Sequence, residues 1–329
     1  MKSIRDFDFS GKTVLVRVDM NVPLDSNGNI TSESRIISSV PTLNYLIGQG
    51  AKIIVMTHLG RPKEHEKTLQ TNNIAYRLCK ILGKKSHVKK VDSIYGEEVK
   101  KEVENLEPGH ILFLENLRFD AREKSGDPDF AENLSKLADC YVNDAFSCCH
   151  RSHASITGIP NYLPAFAGFQ LERELIELNH LKENPERPFV LLQGGAKVSS
   201  KIGLLKALLP LVDEMLIGGG MAFTFLRAKG YSVGKSLVEE DNIEIALEIL
   251  NQAKKTNTTI VLPTDFVATD SIVSPTIAKD VTLEEFPKDL VGADIGKVTC
   301  KNFKNELMKA KTILFNGPMG VFEQNQFSN

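Results

Sequence analysis

The feature that most constrains the fold is a set of short apolar runs that are continuous rather than alternating. Val14–Val18, Ala51–Thr57, Ile111–Leu114 and Cys140–Asn143 are of this kind. A strand with one wet face alternates apolar and polar residues, whereas an unbroken run suits a strand buried on both faces. Helical patterns, such as Ser38–Ile47 and Thr71–Leu82, lie between the runs. The alternation predicts a parallel sheet with helices on both faces. A further helix is predicted over Leu171–Lys182, with Leu171, Leu175, Leu178 and Leu181 on one face and a stop at Asn184-Pro185-Glu186-Arg187-Pro188. Beyond it the rhythm restarts with Phe189–Leu192, Met215–Ile217, Thr259–Leu262 and Thr312–Phe315. The expectation is α/β: two domains, 1–168 and 187–329, joined by a connecting helix and hinge over 169–186.

Composition narrows the function classes. A length of 329 residues favours two domains over one. The net charge of −2 argues against a nucleic-acid coat, so any anion site must come from local clustering. The five cysteines are odd in number and include no CxxC, which suggests neither a disulfide framework nor a zinc site. No stretch reaches the ~18 apolar residues of a membrane span. The start, MKSIRDFDFS, lacks the form of a signal peptide, so the expected compartment is the cytoplasm.

Two groups of residues carry chemistry. The first is a series of arginines at successive strand ends: Arg17 in RVDMN, Arg61 in HLGRP, Arg118 in FLENLRF and Arg151 in NDAFSCCHRSH. Ligands of open parallel sheets bind beyond the carboxyl ends of the strands, and guanidinium forks match phosphate and carboxylate there. Any one of these arginines alone reads as a surface charge or a structural ion pair. His58, His150 and His153 share the same loops. A zinc reading of His150 and His153 with Cys148 or Cys149 is set aside because the ligands crowd into one loop, and no metal ligands are assigned. The second group is glycine-rich. Gly194 and Gly195 precede Lys197 and Lys201, two lysines expected on one face of a helix whose N-terminus follows the glycines. Gly218, Gly219 and Gly220 follow a strand and leave room for a flat base. Asn316 and Gly317 open a Gly-Pro-Met-Gly turn, and Glu323 is placed to accept from ribose hydroxyls. Three glycine-rich strand ends in one domain point jointly to a nucleotide.

Taken together, VLVRVDMNVPL, THLGRP, FLENLRF, NDAF…HRSHAS, GGAKVSSKI, GGGMAFTFL and ILFNGPMGVFE resemble the phosphoglycerate kinase family in order and spacing, from about residue 11 to residue 323. The resemblance implies two Rossmann-like three-layer α/β/α domains. It implies reversible phosphoryl transfer between 1,3-bisphosphoglycerate and ADP, giving 3-phosphoglycerate and ATP, with Mg²⁺ bound through the nucleotide and the chain a monomer. By resemblance, Asp19, Asn21, Arg35, His58, Arg61, Arg118 and Arg151 hold the phosphoglycerate. Arg35 reaches the migrating phosphoryl group, Lys197 faces it from the other domain, and Lys201, Gly292, Asn316 and Glu323 match nucleotide-binding positions. Closure about the connecting helix is expected to bring the substrates in line and exclude water.

Three departures from the family pattern stand out. Ser200 replaces a frequent Asp and Phe315 a frequent Trp, both mild. The sequence ends at Asn329, before the family's GGGD[ST] turn. From that end the expectations are an incomplete second sheet, exposed apolar surface, weak ADP binding and turnover at least ~10³-fold slower than an intact homologue, with phosphoglycerate binding retained. The competing reading is a non-catalytic remnant that still binds phosphoglycerate or nucleotide. A dehydrogenase reading is disfavoured by the absence of GxGxxG.

Overall fold

A computed structural model describes residues 2–83, 87–324 and 326–327. The chain divides into two compact units, Met1–Leu178 and Asn179–Asn329. In chain order the first unit contains β1 (Thr13–Val18), α1 (Ser34–Gly48), β2 (Lys52–Met56), α2 (Asn72–Leu82), β3 (Val88–Lys90), α3 (Glu97–Glu104), β4 (Ile111–Phe113), α4 (Ala121–Ser125), α5 (Pro128–Ser135), β5 (Cys140–Asp144) and β6 (Ala165–Ala167). Helix α6 (Phe169–Glu183) carries the chain across the boundary between the units.

The six strands of the first unit form one parallel sheet in the order β3-β4-β2-β1-β5-β6. The continuous apolar runs are explained by two cores. Val14, Val16, Val18, Ile53, Val55, Ile111 and Phe113 enter one layer, and Leu15, Ile54, Met56, Leu112 and Tyr141 enter the other. Alternate residues of a strand face opposite ways, so a strand covered on both faces must be apolar throughout. Local chemistry sets the helix ends. Asp127 accepts from Phe130 N at 2.8 Å ahead of Pro128, a residue suited to the first helical position. Asp144, at the end of β5, accepts from Gln170 N at 2.8 Å and Leu171 N at 3.2 Å, and so caps α6.

The second unit contains β7 (Phe189–Gln193), α7 (Ile202–Leu208), β8 (Glu214–Ile217), α8 (Met221–Ala228), α9 (Ile243–Thr256), β9 (Thr259–Val261), β10 (Asp265–Thr269), β11 (Lys279–Thr282), β12 (Val291–Ile295), α10 (Lys297–Lys309) and β13 (Thr312–Asn316). Its main sheet is parallel, in the order β13-β7-β8-β9, with Phe189, Leu191, Met215 and Ile217 in one core layer and Val190 and Leu216 in another. Two results depart from the sequence expectation. A second, antiparallel sheet, β11-β10-β12, accompanies the parallel one. Its strands mix acidic, small and apolar residues in no clear period, so neither strand template detects them. Leu178, expected on the buried face of α6, is 40% exposed. Strand β13 stands at the edge of its described sheet, with Ile313 and Phe315 exposed. Among the described residues no helix is long and apolar enough to cross a membrane.

Candidate active site

In the first unit, parallel pairing places the carboxyl ends of β1, β2, β4 and β5 along one edge, with Arg17 in register with Met56 on one side and Asn143 on the other. The loops that follow are tied together by side chains. Asn21 Oδ1 accepts from Gly60 N at 2.8 Å. Asn116 Oδ1 accepts from Leu59 N and Arg118 N, each at 3.1 Å, and its Nδ2 donates to Leu59 O and Leu69 O, each at 2.9 Å. Arg118 Nη1 donates to Gly60 O at 2.5 Å. Thr57 Oγ1 donates to Val18 O at 3.1 Å and accepts from Met20 N at 3.0 Å. The loops after β1, β2 and β4 are therefore tied into one preformed surface.

Cations dominate that surface. Arg118 is buried, and its Nε has no hydrogen-bond partner among the described residues. Burial and then the charge of nearby Arg151 loosen its hold on its proton, although a guanidinium stays cationic. His58 is also buried; that burial, followed by the charges of Arg17, Arg118 and Arg151, pushes its imidazole down to about 2, so it is neutral. Its Nδ1 lies 3.0 Å from Arg17 Nη2, which has only protons to give, so His58 carries its own proton on Nε2. Arg151 Nε donates to exposed His150 Nε2 at 3.1 Å. Arg61 is exposed and has no ion pair among the described residues. Arg35, on the first turn of α1, pairs with Asp19, whose carboxylate also receives the Ser147 hydroxyl and Asn21 N.

Arg17 requires a correction. The sequence reading placed it against substrate, but its side chain is wholly buried. It lies inside β1 with the parity of Leu15, so it enters a core layer rather than the loop edge. Its donors go to Ser155 Oγ at 3.0 Å, to Val18 O, to His58 Nδ1, and to Cys148 Sγ at 3.7 Å. His153 is likewise turned inward, with Nδ1 3.6 Å from Glu123 Oε1. Glu123, Ser155, Asn116 and Ser147 went unread in the sequence. Asn116 sits inside FLENLRF, and Ser147 and Ser155 inside the NDAF…HRSHAS stretch, so all three were open to notice; Glu123 carries no pattern that marks it.

In the second unit the glycine-rich turns after β7, β8 and β13 interlock. Gly194 N donates to Asn316 O at 2.9 Å, Gly195 N to Pro318 O at 2.9 Å, Gly219 N to Met319 O at 2.8 Å, and Met221 N to Gly195 O at 3.0 Å. The glycines serve mainly this contact, a revision of the open surface expected for a base. A Cβ on Gly194 would stand 2.0 Å from Pro318 O, on Gly218 2.5 Å from Met319 Sδ, on Gly219 2.7 Å from Gly195 N, and on Gly317 2.6 Å from Gly194 O. Gly195, at φ +118°, leaves open space, and Gly220 leads directly into α8. Gly292 admits the ring of Phe223, to which a Cβ would come within 2.1 Å.

The lysines also differ from expectation. Helix α7 begins only at Ile202, so Lys197 and Lys201 lie in the turn before it rather than on a helical face. Lys201 Nζ donates to Asn316 Oδ1 at 2.7 Å, and Gln193 Nε2 donates to Asn316 O at 2.8 Å. Lys197 is exposed without an ion pair among the described residues, and Glu323 is exposed. The edge thus offers backbone amides, an amide side chain and two cations, groups suited to phosphate oxygens.

Known proteins point the same way. The family described as phosphoglycerate kinase matches residues 4–329. The phosphoglycerate kinase of Dictyoglomus turgidum is 49% identical over 328 residues, covering 99% of this chain and 82% of the relative. That of Thermosipho africanus is 46% identical over 329 residues, covering 99% and 81%. Among solved structures, phosphoglycerate kinase from Pyrococcus horikoshii superposes with a TM-score of 0.86 at 33% identity, over 100% of this chain and 83% of that one.

Proposed function

This chain belongs to the phosphoglycerate kinase family, and we propose that its two strand-end surfaces divide that family's reaction, phosphoglycerate on the first unit and nucleotide on the second. The activity is a reversible phosphoryl transfer to a carboxyl acceptor, 3-phosphoglycerate and ATP being exchanged with 1,3-bisphosphoglycerate and ADP in glycolysis. In this reading, residues 1–168 bind phosphoglycerate, 169–186 connect, and 187–329 bind nucleotide. The compartment is the cytoplasm, where glycolysis runs, and the protein acts as a monomer.

The observation that carries the first assignment is Arg118. A buried guanidinium with an unpartnered Nε, beside Arg151, calls for an anion with several acceptor oxygens. Neutral His58 adds an N–H donor that keeps its charge state across the physiological range. Asp19, Asn21, Arg61, His150 and Arg151 complete the surface, with Arg17 holding it from behind. Arg35 is held beside it by Asp19, and exchanging that partner for substrate would carry it to the migrating phosphoryl group. Phosphoryl transfer between phosphate and carboxylate needs no general base, so the protein contributes fixed charge and position. On the second unit, Lys197 offers an exposed cation with no ion pair among the described residues. Lys201 and Asn316 form a pair for the nucleotide phosphates, the turns at Gly194, Gly195, Gly218, Gly219, Gly220, Gly292 and Gly317 shape the surface, and Glu323 takes the ribose. Mg²⁺ supplies charge neutralisation when it arrives on the nucleotide, and a surface of lysines and amides fits phosphate oxygens that already carry the metal.

Calorimetric titration with 3-phosphoglycerate tests the assignment. Arg118→Gln removes a charge-assisted fork and should weaken binding by at least about tenfold, with ADP binding unchanged. Wild-type affinity for 3-phosphoglycerate in that variant would refute it.

A further inference from the structure

Arg17 is among the largest fully buried side chains, and no carboxylate lies within ion-pair distance of it among the described residues. A buried cation without compensation is costly. The compensation is indirect. Arg17 Nε donates to Ser155 Oγ at 3.0 Å, and Ser155 Oγ donates onward to Glu123 Oε1 at 2.6 Å. The other oxygen, Glu123 Oε2, accepts from Ser155 N at 2.9 Å, and Tyr141 Oη donates to Ser155 O at 2.7 Å. Ser155 is thus held at three points and its hydroxyl has one orientation. Glu123 is fully buried, and burial alone would raise its carboxyl. The proximity of His153, the charge of Arg17 and the two bonds from Ser155 outweigh that and leave it below its ordinary value, hence anionic.

The direction of every bond in this chain is fixed. Glu123 only accepts, so the Ser155 hydroxyl must give its proton to Glu123 and accept from Arg17. Arg17, oriented through Nε, then directs Nη2 at His58 Nδ1, 3.0 Å away. We propose that Glu123 is a positioning residue for the substrate surface: through Ser155 and Arg17 it pins His58 in the orientation and tautomer that present an Nε2–H to the anion. The proposal rests on the reading that His58 faces phosphoglycerate. Nothing in the chain acts on the reacting atoms; its effect lies in substrate affinity.

The experiment pairs ¹⁵N spectra of the histidine rings with steady-state kinetics in 3-phosphoglycerate. In the wild type, His58 Nδ1 should resonate as an unprotonated acceptor from pH 5 to 8. Ser155→Ala breaks the link while keeping both charges, and Glu123→Gln removes the charge and turns one acceptor into a donor. Both should move the His58 resonances toward tautomer averaging and raise KM for 3-phosphoglycerate about tenfold with kcat nearly unchanged. Ser155→Thr, which keeps the hydroxyl, should restore both. Wild-type spectra and KM in the two disrupting variants would overturn the proposal. If Glu123→Gln fails to fold, the Ala and Thr variants at position 155 decide: no change in Ala, or no recovery in Thr, overturns it. Wild-type His58 resonances that ignore added 3-phosphoglycerate would instead refute the placement of His58 against substrate, and the spectra of the variants would still judge the chain.

Discussion

Asp144 caps α6 at a thermodynamic cost that can be measured. It is 2% exposed, and burial raises its carboxyl from 3.8 to about 6, only partly countered by Thr42 and the α6 amides. Its Oδ2 is buried and has no hydrogen-bond partner among the described residues. The folded state therefore binds this proton more tightly than the unfolded chain does. The resulting stability is fully present below pH 3.8 and is lost as pH rises through about 6. A shift of about two units corresponds to roughly 3 kcal/mol. Asp144→Asn keeps an acceptor for Gln170 N and Leu171 N but cannot titrate, and Asn caps helices about as well as Asp. It puts an unpartnered N–H where an unpartnered oxygen stood, a fixed offset that does not vary with pH. The stability of Asp144→Asn relative to wild type should thus rise by roughly 2 kcal/mol between pH 4 and pH 7. Urea unfolding at several pH values measures this. The chain has no tryptophan, and Tyr45, Tyr76, Tyr95, Tyr141 and Tyr162 all lie in the first unit against Tyr231 in the second, so tyrosine fluorescence reports mainly the unit that holds Asp144. Stability curves that run parallel for the two proteins would refute the reasoning.

His58 should show no titration between pH 5 and 8, because burial and three arginines hold it near 2; an NMR midpoint within that window would contradict this. Arg35→Ala should lower kcat by about 10² while changing KM for 3-phosphoglycerate much less, since its proposed target gains charge during transfer; equal losses in the two parameters would assign Arg35 to plain binding. Lys197→Ala should behave similarly, whereas Lys201→Ala, which removes the bond to Asn316, should raise KM for ADP; initial-rate kinetics separate the two. Gly219→Ala must place a Cβ 2.7 Å from Gly195 N at φ +66°, so it should lower the melting temperature and weaken ADP binding together; a variant as stable and as tight as wild type would show that the turns do not need their contact.

The sequence by itself determined the parallel sheets, the helix between the units and the loops that carry cations. Continuous apolar runs have one physical reading, burial on both faces, and Val14–Val18 or Ile111–Phe113 fulfil it by feeding two cores. Motif order carried the family, which no composition or period could have supplied. Only the tertiary structure decided which strand-end arginine is spent inside the protein. Arg17 and Arg118 look alike in sequence, yet Arg17 lies one residue inside β1 with core-facing parity, while Arg118 lies beyond β4. The glycines tell the same story: a Gly-Gly turn announces a close approach but not by what, and the partner of Gly194 proves to be Pro318, more than a hundred residues away. The roles of Glu123 and Ser155 were invisible for a related reason, although Ser155 closes the HRSHAS motif. A buried charge is identified by the partner that compensates it, and that partner is fixed by packing between distant segments, not by any local pattern.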